Sequence, residues 1–150
     1  MHDVAQAARD SKSEPVSKTE PVSKAEPVSK AMLWVGRILS ALPVILMLFS
    51  GFYALLKPAA VAPSFVHYGY PDGALLPIAI VEILCAVIYA IPRTAVFGAI
   101  LMTGYLGGAV STHVRAGEPF YLPIIVGVIA WLGLYLRDRR LHAHLPLRST

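Results

Sequence analysis

Charge is what this chain has least of. Charged side chains make up 15% of its 150 residues, against about 25% in a typical soluble domain. The shortage is uneven. Between Arg37 and Arg137 only Lys57, Asp72, Glu82, Arg93, Arg115 and Glu118 carry charge. Hydrocarbon solvates neither charges nor unpaired backbone groups, so a stretch this poor in charge reads as membrane-embedded helix. Cysteine is nearly absent as well. Cys85 stands alone inside an apolar run, which excludes an intrachain disulfide or a dithiol exchange motif and suits a small buried residue. There is no nucleophile–base pair, no phosphate-binding loop and no zinc-ligand spacing, so no metal is expected. His2, His67, His142 and His144 form no ligand pattern.

Two further features set the environment. The net charge is +4 with pI near 9.4, but the basic residues flank apolar runs and no stacking aromatics accompany them. They are expected to meet anionic lipid headgroups, not nucleic acid. Mean hydropathy is +0.62 and 56% of residues are hydrophobic. The expected class is all-α: a four-helix transmembrane bundle with a disordered N-terminal tail.

The tail, 1–31, contains a hexapeptide repeat: Glu14-Pro15-Val16-Ser17-Lys18, Glu20-Pro21-Val22-Ser23-Lys24 and Glu26-Pro27-Val28-Ser29-Lys30. One valine per unit buries no core, and the prolines block helix, so the segment is expected to stay solvated. Either it tethers a partner or headgroup, or it is an expansion without a role.

The bundle is expected over 32–141, with a short basic tail at 142–150. Its first helix covers about 32–56 and contains Pro43. It is too long for a cleaved signal segment, despite Ala60-Val61-Ala62 behind it, and should remain as an anchor. A short interfacial helix is expected where Val61, Phe65 and Tyr68 recur at helical spacing. The second helix covers about 74–91, with Asp72 as a candidate cap, and closes at Pro92-Arg93. Thr94 is placed to cap the third, about 95–112, and so short a link makes the two antiparallel. The fourth covers about 120–136. Gly104 and Gly108 give a G-x-x-x-G spacing for helix packing, within one bundle or between copies.

Placing both termini in the cytoplasm puts Lys24, Lys30, Arg37, Arg93, Arg137, Arg139, Arg140 and Arg148 inside and only Lys57 and Arg115 outside. That is the positive-inside arrangement. Trp34, Tyr89, Trp131 and Tyr135 then fall near the inner interface.

Glu82 carries the chemical interest. A carboxyl group amid apolar helix must pair, take a proton or face a wet cavity. At 1.5 Å per residue it lies ~13 Å from the helix end, level with Gly104 and Tyr105 on the antiparallel neighbour. A contact to Tyr105 or to Arg37 is expected. The cluster Arg37, Glu82 and Tyr105 serves either as a proton or polar-ligand site or as a buried clamp. His113 and Arg115, at the outer end of the third helix, form a second candidate site, for a quinone oxygen or proton transfer, or are ordinary interface residues.

Residues 32–146 resemble the DoxX-like family of small four-helix membrane proteins. The resemblance rests on Gly36-Arg37, Ser50-Gly51, Lys57-Pro58, Phe65, Gly69-Tyr70-Pro71, the stretch Leu75 to Glu82, Ile91-Pro92-Arg93-Thr94 and the glycine-rich Leu101 to His113. It implies a multi-pass protein of the bacterial plasma (inner) membrane that is an accessory subunit of a quinone-linked redox complex. Quinone is the one cofactor implied, since the residues themselves point to none. The alternatives are a scaffold or assembly factor and a carrier of a small lipophilic solute. A homo-oligomer is compatible with so small a bundle.

Overall fold

The computed structural model describes residues 30–138 and 141. The repeat tail and the C-terminal tail therefore lie outside the described residues, except for Lys30 and Ala31 at the end of the former. The described chain contains five helices and no strand: α1 Lys30–Leu56, α2 Pro58–His67, α3 Leu75–Ala90, α4 Ala95–Ala116 and α5 Tyr121–Arg137.

Prolines and glycines set the boundaries. Pro58 opens α2 at a position where its missing N–H leaves nothing unpaired. Gly69 and Gly73 turn the chain at φ 72° and 85°, conformations a Cβ disfavours. Gly117, at φ 73°, closes α4, its N–H returning to Val114. This cap lies one turn beyond the expected end at Thr112, because nothing in Thr112–Ala116 interrupts the helix. Pro43 lies within α1, which continues through it.

Two expected caps are not made. Ala74, not the expected Asp72, holds the N-cap position of α3, and Thr94 gives no side-chain cap to α4. The Thr94 hydroxyl donates backward instead, to the carbonyl of Ile88 at 2.8 Å. Threonine there ties off α3 and does not start α4, since the carbonyls at a helix C-terminus also lack partners.

The four long helices pack in a cycle: α1 against α3 and α5, and α4 against the same two. Contacts give their directions. Ser40 of α1 meets Tyr89 of α3, and Gly51 meets Ile83. Gly98 of α4 meets Tyr89, and Thr103 meets Trp131 of α5. Gly36 of α1 meets Gly133 of α5. Every neighbour in the cycle is antiparallel. The short α2 lies across one end, against α1 and α3.

The core is small-residue rich. Ala79, Ala86, Ala95, Ala99 and Ala130 are buried, with Met47, Met102, Tyr89 and Leu134 filling the space between them. The outside is apolar. Phe49 is 74% exposed, Val128 60% and Phe97 57%. Among the described residues only α1 and α4, at 27 and 22 residues, are long and apolar enough to cross a membrane; α3 and α5 are apolar but have 16 and 17 residues.

The packing glycines are not the expected pair. A Cβ on Gly98 would collide with the Tyr89 backbone, one on Gly133 with Ser40, and one on Gly36 with Gly133 and Arg137. A Cβ on Gly104 or Gly108 would meet nothing within 4 Å. The G-x-x-x-G spacing marks an open wall within this chain, not a helix seam. Tyr89, expected at the interface, has no exposed surface and donates to the Ala130 carbonyl at 2.6 Å beside Ser40 Oγ at 3.1 Å.

Candidate functional site

That open wall belongs to a cavity of about 460 Å³. α1 contributes Ser50, Tyr53 and Ala54, α3 contributes Ile78, Ala79 and Glu82, and α4 contributes Gly104, Tyr105, Gly108, Ala109, Thr112 and His113. Val61 and Phe65 of α2, with Tyr68 and Tyr70 of the following loop, form the roof. The helix α5 takes no part.

Glu82 lies at the cavity's inner end and is 7% exposed. It faces the hydroxyls of Tyr105 and Ser50, which act on its carboxyl as hydrogen-bond partners. The position follows from helix geometry. Antiparallel α3 and α4 are joined at Pro92-Arg93, so residues equally far from the turn meet, and Glu82 and Tyr105 are such a pair. Ser50 comes from α1, across from the Gly51–Ile83 contact.

Arg37 is not there. It lies at the opposite end of the bundle, its guanidinium 5.5 Å from the centre of the Trp34 ring. The expected Arg37–Glu82 contact fails on reach. Arg37 is more than three helical turns from Ser50, or ~20 Å along the axis, and its side chain stacks locally instead. Among the described residues Glu82 therefore has hydroxyl neighbours but no ion pair.

At the roof end a polar network ties the α2–α3 loop to the end of α4. Tyr68 Oη donates to Glu118 Oε2 at 2.8 Å, and His67 Nε2 lies 3.0 Å from Glu118 Oε1. Arg115 donates to the Tyr68 carbonyl at 3.0 Å. Thr112 gives its single proton to the Gly108 carbonyl, so Tyr70 is the donor in the 2.7 Å bond to Thr112 Oγ1. His113 bonds the Ala109 carbonyl through Nδ1 at 2.8 Å and packs against the Tyr68 ring. The bond from Tyr68 holds the Glu118 carboxyl below its ordinary range, and the same bond pushes the Tyr68 phenol up.

Of the residues singled out from sequence, Glu82, Tyr105, Gly104, Gly108 and His113 thus line one cavity. Arg115 belongs to its latch and Arg37 to the other end. Sequence reading missed Ser50, Tyr70 and Glu118 as parts of this site. Glu118 and His67 are 51 positions apart, and no local pattern announces such a pair.

The donor set suits a quinone in kind. The cavity falls within the ~300–1,000 Å³ of small-molecule sites, its walls are largely apolar, and hydroxyls of Tyr105 and Ser50 converge beside a carboxyl at one end. Among the described residues no group of three or more His, Cys, Asp or Glu is placed to hold a metal ion.

Comparison with curated proteins and with solved structures gives no match. The family model of the DoxX-like family does match, over residues 38–133. That segment holds the whole cavity and its latch and amounts to well over half of the sequence, and the chain belongs to the DoxX-like family.

Proposed function

We propose that the protein crosses the bacterial plasma membrane four times and holds a small lipophilic molecule of the quinone class as an accessory subunit of a membrane redox complex. One observation carries the reading: a buried carboxyl flanked by hydroxyls closes the inner end of an otherwise apolar cavity. Tyr105 and Ser50 would donate to a ring oxygen, and Glu82 would hold or receive a proton beside it. The apolar walls would exclude water. A bound quinone supplies two-electron, two-proton exchange with redox partners.

Several features support the membrane part. The exposed apolar side chains encircle the helices, which a soluble surface seldom tolerates. Because α3 and α5 pack antiparallel beside α1 and α4, they share their depth, so all four spans go together. Arg37, Arg93 and Arg137 gather at one end of the cycle and Lys57 and Arg115 at the other, which favours cytoplasmic termini. A reporter fused after Thr150 should be active only on the cytoplasmic side.

The ligand part is tested with protein purified in mild detergent. Ubiquinone or menaquinone should bind, and E82Q should weaken binding about tenfold while keeping the melting midpoint, the effect of removing one charged hydrogen-bond partner. Equal affinity in wild type and E82Q, or no binding by wild type, would reject it. The scaffold reading draws less support, because the glycines it would use line the cavity.

A further inference from the structure

The end of the bundle away from the cavity holds a second, polar pocket of about 390 Å³. Three arginines from three segments converge on it: Arg37 of α1, Arg93 of the α3–α4 turn and Arg137 at the end of α5. Asp138 is the one acid lining it. We propose that this pocket binds a phosphate group, carried by an anionic membrane lipid.

Charge points to an anion. Guanidinium groups keep their proton at any physiological pH, so three against one carboxylate leave an excess of positive charge in one notch. Helix dipoles do not decide the matter, because the start of α4 and the ends of α3 and α5 all lie here and oppose one another. The arginines are also unequal. Arg137 is engaged with the fold, donating to the Tyr89 carbonyl at 3.3 Å and lying over the Tyr89 ring. Arg37 stacks on Trp34 and its side chain is exposed. Arg93 makes no hydrogen bond or ion pair with any described residue. Two exposed guanidinium forks beside a fixed third match the spread of oxygens on a phosphate better than a single carboxylate would.

Position points to a lipid. The pocket also contains Leu33 and Leu134, and apolar Ile38, Val96 and Phe97 are exposed nearby on α1 and α4. A headgroup in the notch would leave its acyl chains along those outer faces. This is the arrangement of basic pockets between spanning helices that take anionic headgroups.

The inference rests on the spanning arrangement proposed above, and the two fail differently. Full-length protein that stays monodisperse without detergent removes both. In protein that requires detergent, the test is the melting midpoint in neutral micelles doped with phosphatidylglycerol or phosphatidylcholine, or supplied with inorganic phosphate. Phosphatidylglycerol alone should raise the midpoint and should co-purify by native mass spectrometry. R37Q and R93Q should each weaken its binding about tenfold without lowering the unliganded midpoint, since both side chains are exposed. Equal shifts from both lipids, or full binding by the R37Q/R93Q double variant, would overturn the site. A shift given equally by inorganic phosphate would overturn the lipid assignment and leave a soluble phosphate as the ligand.

Discussion

The two halves of the bundle are built on opposite rules. Toward Arg137 the helices touch backbone to backbone. Gly98, Gly133 and Gly36 let them close, and Tyr89 fills the remaining space with its hydroxyl satisfied by Ser40 and Ala130. Toward α2 the glycines of α4 do the reverse, although Gly51 still closes α1 on Ile83. Gly104 and Gly108 face a void with largely apolar walls, where Glu82, Ser50 and Tyr105 gather at one end. The same residue type makes a seam where a partner backbone is present and a chamber where none is. Tight packing in one half supplies the rigidity that lets the other half stay open.

Substitutions test that contrast, and the largest effect belongs to the closed half. Gly98→Val should prevent stable folding, because its Cβ has no room against the Tyr89 backbone; overpacking costs ~1–3 kcal/mol or more. Size-exclusion profiles and melting in detergent would read the loss. A folded Gly98→Val protein with an unchanged midpoint would dissolve the distinction. Tyr89→Phe should cost ~1 kcal/mol by removing the buried bond to the Ala130 carbonyl and the contact with Ser40 Oγ, again read by melting.

In the open half, Gly104→Ala should leave stability unchanged or raise it by up to ~1 kcal/mol, as expected when glycine is replaced in a helix. Its added methyl group projects into the chamber, so affinity for a ligand should fall while the midpoint does not. A destabilised Gly104→Ala protein would show that the wall is packed after all.

The smallest effect is expected at the latch. Glu118 is held below its ordinary value of 4.5. Its bonds therefore contribute to closure above that value and are lost as pH falls through the lower, folded-state value. Amide protection factors over Pro58–His67, corrected for the intrinsic pH dependence of exchange, should fall on acidification below about pH 4.5. Tyr68→Phe should abolish most of that pH dependence. The group is open to solvent, so global stability should barely move.

Much of this architecture could be read from sequence, and the failures are instructive. Apolar runs punctuated by Lys57-Pro58 and Pro92-Arg93 mark helices because few other structures satisfy backbone groups in an apolar setting. Glu82 and Tyr105 could be paired from distance along two antiparallel helices, which depends only on rise per residue. Rotation about the helix axis was not legible. The spacing of Gly104 and Gly108 says that they share a face, not what that face meets. The expected contact of Arg37 with Glu82 overlooks Trp34, one turn earlier, over whose ring the guanidinium lies. Tyr89 looked like an interface aromatic because it lies near a helix end, whereas its neighbours from α1 and α5 enclose it. The latch depends on a contact between α2 and the α4–α5 link that only the folded chain creates.

The Gly98–Tyr89 contact has a mechanical corollary. It clamps α3 and α4 together near their shared turn, while their far tips flank Glu82, Tyr105 and the void beyond. Two rods joined at one root behave as tweezers. Gly108 lies ten residues past Gly98, or ~15 Å along the axis, so each degree of splay moves it about 0.3 Å. The Tyr70–Thr112 and Arg115–Tyr68 bonds hold those tips shut, so any splay has to break them first.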